Sequence, residues 1–254
     1  MAFADADLTE DGFLGGRLRI LQPRTGYRAA TDPVLLAAAV AARPGERVLE
    51  LGCGVGVASL CLGVRVAGLV LWGLELQPDY ADLARRNAAL NGVALEVVAG
   101  DLAAMPSALR GLEFDHVIAN PPYFPAHAGT AAADGGRELA QREATPLPDW
   151  AAAGIRRLRP GGWLTVIQLA ERLPDLLAAL GPQVGATAVL PLAGRAGRPA
   201  NRVIVQARKG ARSPFVLHAP FVLHDGGAHA GDRDSYSDAA RDVLRNAAAL
   251  AFGA

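Results

Sequence analysis

Arg47-Val48-Leu49-Glu50-Leu51-Gly52-Cys53-Gly54-Val55-Gly56 decides the fold. Its first five residues read as a strand buried on both faces, the next five as a tight glycine turn, and the run from Val57 to Val64 as a helix. Strand, glycine turn and helix in that order open a nucleotide-binding unit. Glycines let the backbone approach a ligand closely, and the helix N-terminus offers unpaired N–H groups. A NAD-binding turn wants Gly-x-Gly-x-x-Gly, and the final position here is Val57.

Downstream, Leu69 to Leu74 reads as a second strand ending in Glu75, which lies 23 residues after Gly52, the spacing that brings a carboxylate to a ribose diol from the neighbouring strand tip. A helix from Pro78 to Leu90 and a strand from Ala94 to Ala99 then place Asp101 at a third tip. Glu50, Glu75 and Asp101 thus gather on one edge of a parallel sheet, where ligands of such folds bind. Three carboxylates argue against a bare pyrophosphate and suit a ligand with a cationic part, ribose hydroxyls and an exocyclic amine. A solvated strand end is the alternative reading of Glu50.

A fourth strand, Phe114 to Ala119, runs into Asn120-Pro121-Pro122-Tyr123, Phe124 and Pro125. The prolines cannot donate ladder hydrogen bonds, so the strand stops at Asn120 and a stiff, extended corner follows. The Asn120 side-chain oxygen and the Pro121 carbonyl can each accept one N–H of an NH2 group, and Tyr123 offers a face for stacking. Taken alone, an ordinary strand-to-loop turn explains the corner as well.

The chain has 254 residues, 51% of them hydrophobic and 20% charged, which suits one sizeable globular domain with a substantial core. The formal net charge of zero decides nothing, because local patches steer nucleic acids. Only Cys53 and Cys61 are present, and Cys53 sits in the glycine turn, which argues against a disulfide framework and for a reducing compartment. Met1 to Asp11 is acidic without a basic region followed by an apolar stretch, and apolar runs such as Val34 to Ala42 are short of the ~20 residues that span a bilayer. The expectation is a soluble, cytoplasmic protein without a membrane or obligate protein partner.

Arg17 to Leu21 alternates as a short hairpin or edge strand would, and a helix follows from Asp32, as cap, with Pro33 at its first position, to Ala42. Beyond the corner, Ala126 to Gly136 reads as a loop, with Arg137 and Arg142 at its far end. A helix from Pro148 to Leu158, the turn Pro160-Gly161-Gly162, a strand from Trp163 to Gln168, a helix from Leu173 to Leu180 and strands near Ala186 to Leu192 and Arg202 to Ala207 complete a seven-stranded sheet. From Leu176 to His224 there is no Asp or Glu, whereas Arg195, Arg198, Arg202, Arg208, Lys209 and Arg212 fall inside, a footprint suited to a phosphate backbone and also compatible with a solvated loop. The duplicated Pro214-Phe215-Val216-Leu217-His218 and Pro220-Phe221-Val222-Leu223-His224 read as extended chain packed on the domain, and Asp238 to Leu250 as a helix capped by Ser237. His218, His224 and His229 find no Cys or carboxylate at zinc-ligand spacing, so no metal is expected.

Together, Val48 to Gly56, Glu75, Asp101 and Asn120-Pro121-Pro122-Tyr123 resemble the class I S-adenosylmethionine-dependent methyltransferases, in the branch that methylates amino groups of adenine, guanine or glutamine. Gly26-Tyr27-Arg28-Ala29-Ala30-Thr31-Asp32-Pro33-Val34-Leu35-Leu36 is similar to the segment that precedes the first strand in bacterial tRNA (adenine-N6)-methyltransferases acting on position 37 of a valine tRNA. The resemblance implies an α/β, Rossmann-like three-layer sandwich with a seven-stranded, mostly parallel sheet. It implies a methyltransferase domain over 47–210, an N-terminal hairpin and helix over 1–46 packed on it, and a C-terminal extension over 211–254. By resemblance, Gly52, Gly54 and Gly56 line the methionine part of S-adenosylmethionine, Glu75 takes the ribose hydroxyls, Asp101 with the Leu102 backbone holds the adenine, and Glu50, Leu76 and Asn120 also contact the cofactor. Asn120 to Tyr123 hold the target, and the nucleic acid lies on Arg137, Arg142, Arg195, Arg198, Arg202, Arg208 and Lys209. The expected reaction is methylation of adenine N6 in RNA, with tRNA as the partner. A protein-glutamine methyltransferase and a non-catalytic RNA-binding protein of the same fold are the alternatives.

Overall fold

The computed structural model describes residues 3–125, 142–143, 145–226 and 235–250. Strand β1 (Leu8–Phe13) pairs antiparallel with β2 (Leu18–Pro23), and helix α1 (Asp32–Ala39) leads to β3 (Arg47–Leu51). From there strands and helices alternate: α2 (Val57–Arg65), β4 (Val70–Glu75), α3 (Pro78–Asn91), β5 (Leu95–Ala99), α4 (Ser107–Arg110) and β6 (Phe114–Ala119). Two-residue strands β7 (Phe124–Pro125) and β8 (Arg142–Glu143) pair with each other, and α5 (Leu147–Arg157), β9 (Leu158–Leu169), α6 (Leu173–Leu180), β10 (Val184–Arg195) and β11 (Ala200–Lys209) follow.

The large sheet has the order β10-β11-β9-β6-β3-β4-β5. Its strands are parallel except β11, which runs antiparallel to both neighbours. Side chains of successive strand residues point to opposite faces, and each face meets helices. Val48, Ile118, Ile167 and Ile204 pack with Leu35 of α1, Leu60 of α2 and Leu83 of α3. Leu49, Val117, Val166 and Val205 pack with Leu109 of α4, Ile155 of α5 and Leu176 of α6. Sheet order, parallel crossovers and helices on both faces make the three-layer class I methyltransferase architecture.

The seven expected strands are joined by two short ones. Each copy of the Pro-Phe-Val-Leu-His duplication adds a strand parallel to the same edge: β12 (Val216–Leu217) against Ala188 and Val189, and β13 (Phe221–His224) against Leu192 to Arg195. The expected turn at Pro160-Gly161-Gly162 lies instead inside β9, as a register shift that follows the Phe114–Leu158 pair and precedes the His116–Trp163 pair. The acidic stretch Leu8–Phe13 is a strand, its charge taken up across the hairpin where Glu10 pairs with Arg19 at 2.7 Å.

The hairpin docks on α3 through two carboxamides one helical turn apart. Asn87 accepts from Leu21 N at 2.8 Å and donates to Leu21 O and to Val55 O of the glycine turn, both at 3.0 Å; Asn91 accepts from Arg19 N at 2.9 Å and donates to Arg19 O at 2.7 Å. The two side chains thus complete the open edge of β2 as a third strand would. Ser237 Oγ accepts from Ala240 N at 3.2 Å and so caps α7 (Asp238–Asn246) as expected, although that helix ends at Asn246 rather than Leu250. Among the described residues no helix is long and apolar enough to cross a membrane.

Candidate active site

The C-terminal tips of β3, β4, β5 and β6 open into a cavity of about 720 Å³, within the range of small-molecule sites. Gly52, Gly54, Glu75, Leu76, Asp101, Leu102 and Asn120 to Tyr123 all line it. Glu75 Oε2 accepts from Gly54 N at 2.8 Å and Oε1 from Gln77 N at 2.9 Å, so the second strand tip fixes the turn after the first. Burial raises the Glu75 carboxyl above its ordinary range, against the pull of the N–H groups of Gln77, Gly54 and Leu76. Asp101 accepts from Ala103 N at 2.8 Å.

Gly52 and Gly54 adopt φ of +65° and +53°, and each lies under an aromatic ring. A Cβ on Gly52 would stand 2.6 Å from Trp150 of α5, and one on Gly54 3.2 Å from Tyr27. Tyr27, from the segment between β2 and α1, is held by Tyr80 of α3, whose hydroxyl accepts from Tyr27 N at 2.9 Å. Neither Tyr27 nor Trp150 was expected in the site. Tyr27 falls in the stretch that carries the family resemblance, whereas nothing in the sequence near Trp150 signals its place.

The corner after β6 is fastened at several points. Gln168, fully buried at the end of β9, donates from Nε2 to Pro122 O at 3.2 Å and to Pro121 O at 3.5 Å, and Arg172 Nη1 donates to Tyr123 O at 3.3 Å. The Tyr123 hydroxyl donates to Asp32 Oδ2, and Arg202 lies over the Tyr123 ring, 4.6 Å from its centroid. Burial, then the Asp32 charge, raise the Tyr123 phenol, so it stays a neutral donor. Asn120 Oδ1 is the exception: it is buried, and among the described residues no donor reaches it. Asp32, expected as a helix cap, is the first residue of α1 with its carboxylate turned to Tyr123 and Arg202 instead.

Four expected residues stand elsewhere. Glu50 is buried and away from the cavity; its Oε2 accepts from Ser59 N at 2.9 Å and Ser59 Oγ at 2.5 Å, tying β3 to α2. Burial pushes its carboxyl up to about 7, against the lowering effect of the Ser59 bonds. Gly56 is the cap residue just before α2, with φ of +88°, and faces Leu95, Ala84 and Leu60 rather than the cavity. Arg208 and Lys209 lie six and seven residues beyond Arg202 on β11, about 20 Å away at ~3.3 Å per residue. At that far end Arg208 bonds Gly161 O at 2.9 Å and lies over Trp163, and Lys209 bonds Leu158 O at 2.6 Å. The sequence cluster is therefore split along a straight strand, and only Arg195, Arg198 and Arg202 belong to the cavity end of β10 and β11. Arg195 bonds Asp225 O and Gly226 O, and Arg198 is exposed in the turn. Arg137, the Arg142 side chain and the 126–136 loop lie outside the described residues.

Residues 30–179 match the methyltransferase small domain family. The chain belongs to that family. This methyltransferase is similar to a Dickeya chrysanthemi protein named tRNA1(Val) (adenine(37)-N6)-methyltransferase, at 30% identity over 212 residues that cover 81% of this chain and 82% of the relative. A Porphyromonas gingivalis protein of the same name is 32% identical over 175 residues, 65% of this chain and 68% of that one. Among solved structures, a protein from Agrobacterium tumefaciens described as a predicted O-methyltransferase superposes with a TM-score of 0.69 at 27% identity, covering 86% of this chain and 98% of its own. A T. thermophilus 16S rRNA N2 methyltransferase bound to AdoMet and guanosine shares the fold, with a TM-score of 0.55 at 19% identity over 80% of this chain and 50% of that one. The methyltransferase uses S-adenosylmethionine, and the glycine turn and the strand-tip carboxylates that line the cavity fit that cofactor.

Proposed function

We propose that this methyltransferase methylates the exocyclic N6 amino group of adenine in RNA, that the RNA is tRNA, and that the target is the adenine at position 37 beside the anticodon. Asn120 Oδ1, buried and without a donor among the described residues, carries the reading: in a corner otherwise fastened, it is an acceptor in want of an N–H donor. The names of the Dickeya and Porphyromonas relatives support the choice of base and RNA.

S-adenosylmethionine supplies a methyl already activated on a sulfonium, so the protein's contribution is position and electrostatics. Gly52 and Gly54 hold the methionine portion, Glu75 and Leu76 the ribose, and Asp101 with the Leu102 backbone the adenine. Asn120 Oδ1 and Pro121 O accept the two hydrogens of the target amine. Its lone pair, otherwise delocalised into the ring, is thereby turned toward the methyl, a preorganised electrostatic effect. Tyr123 stacks the base once it has left its own stack. Arg195 and Arg198 face the RNA backbone, and a tRNA substrate places the enzyme in the cytoplasm.

The test is transfer of labelled methyl from S-adenosylmethionine to total RNA and, in parallel, to translation release factors, followed by nucleoside and peptide analysis. N6-methyladenosine in the tRNA fraction is the expected product. Label on a glutamine would overturn the substrate and leave the fold and cofactor untouched.

A further inference from the structure

Asp32, Tyr123 and Arg202 reach one another from three distant parts of the chain: the first residue of α1, the corner after β6 and the start of β11. The Tyr123 hydroxyl donates to Asp32 Oδ2, and that oxygen also accepts from Arg202 Nε at 3.1 Å. The Arg202 guanidinium lies over the Tyr123 ring, 4.6 Å from its centroid, so each pair is closed by the third residue. The Asp32 and Arg202 side chains are only 21% and 26% exposed, so their pairing is screened less than a surface ion pair. A ring pinned at its hydroxyl and covered on one face has its plane fixed before any ligand arrives, and a flat group can stack only on the other face.

We propose that Asp32 and Arg202 are positioning residues for the target: they lock Tyr123 so that the base enters on one face and in one orientation relative to Asn120. The role in catalysis rests on the reading of Tyr123 as the target's platform, whereas the lock is a property of the free protein. Arg202 is on this account no phosphate contact, because Asp32 already opposes its charge and Tyr123 holds its plane.

Two measurements on the full chain decide it. The chain contains four tyrosines, so 3-fluorotyrosine labelling gives a small set of fluorine resonances, with that of Tyr123 identified by its loss in Tyr123→Phe. Asp32→Asn keeps the size of the side chain and removes its charge; it should shift and broaden the Tyr123 resonance, move that of Tyr27, which also feels the Asp32 charge, less, and leave those of Tyr80 and Tyr236 in place. With RNA as substrate, Asp32→Asn should lower kcat/KM by up to about 10²-fold with cofactor affinity by calorimetry within about twofold of the parent. In a Tyr123→Phe background the same change should lose most of its effect, since the hydroxyl it acts on is gone. Arg202→Gln, on β11, serves the same comparison if Asp32→Asn does not fold. An unmoved fluorine resonance, parental RNA kinetics, a matching loss of cofactor affinity or full additivity with Tyr123→Phe would each overturn the proposal. If the parent does not methylate RNA, the substrate reading fails on its own, and the fluorine resonance still decides whether the pair locks the ring.

Discussion

Gln168 donates from Nε2 to Pro122 O at 3.2 Å while its Oε1 accepts from Leu169 N at 2.7 Å, so the end of β9 holds the corner that follows β6. Gln168 is fully buried, and Gln168→Ala would leave both backbone groups without their partner. The expected cost is about 2–4 kcal/mol of stability. Turnover should fall by roughly 10–100-fold, because the corner loses its fixed angle, with cofactor affinity little changed. Urea unfolding and steady-state kinetics measure both, and a variant that turns over like the parent would show that the proline carbonyls hold their place without Gln168.

Asn120→Ala is expected to separate activity from stability. Removing a buried acceptor that has no donor among the described residues relieves a desolvation cost, so the variant should be as stable as the parent or more so, by up to about 1 kcal/mol. Methyl transfer should be abolished and cofactor binding retained. Thermal unfolding and calorimetry with S-adenosylmethionine provide the readouts; a marked drop in Tm would mean that the oxygen has a partner in solution and is not waiting for a target.

The parallel strands were legible because burial on both faces writes a continuous apolar run. Phe114 to Ala119 is placed to the residue, and Leu69 to Leu74 and Ala94 to Ala99 within one. Strand-tip positions such as Glu75 and Asp101 followed from those strands. The Leu8–Phe13 strand was not legible, since its acidity is neutralised by residues that arrive later in the chain, Arg19 on Glu10 and Arg28 on Asp11. Neighbours in sequence misled at β11, where an extended strand carries Arg202 to the cavity and Arg208 and Lys209 to the opposite end of the sheet. Tyr27, Trp150 and Gln168 enter the site from segments that meet only in the folded chain; Trp150 carries no local pattern that says so, and Tyr27 only its place in the stretch that bears the family resemblance. Gln168 had the one usable local signal, a polar residue ending an apolar strand as Glu75 does.

Gly52→Ala should abolish cofactor binding. The new Cβ would stand 2.6 Å from the Trp150 ring, at a φ of +65° that an L side chain adopts only at a cost of about 1–2 kcal/mol. Adding Trp150→Ala removes the clash and leaves the backbone strain, so the double variant should regain stability without regaining full affinity. Calorimetry with S-adenosylmethionine on the single and double variants tests this. Parental affinity in Gly52→Ala would show that the turn and α5 part easily and that the ring does not define the floor of the site.

Glu50 predicts a pH dependence of stability that has nothing to do with the reaction. Burial raises its carboxyl to about 7 from an ordinary 4.5, so in the folded protein the neutral form is favoured over a wider range than in the unfolded chain. The stabilisation that follows is fully present below the unfolded value and is lost as pH rises through the folded one. The Glu50 contribution to Tm should therefore decline from about pH 5 to pH 8, by an amount equivalent to at most ~3 kcal/mol, with roughly 2–4 °C per kcal/mol for a chain of this size. Glu50→Gln keeps an acceptor for Ser59 and cannot ionise, so its Tm should stay flatter over the same window and cross above the parent's at the alkaline end. Parallel curves for the two proteins would mean that Glu50 is charged throughout the window, with the Ser59 bonds outweighing its burial.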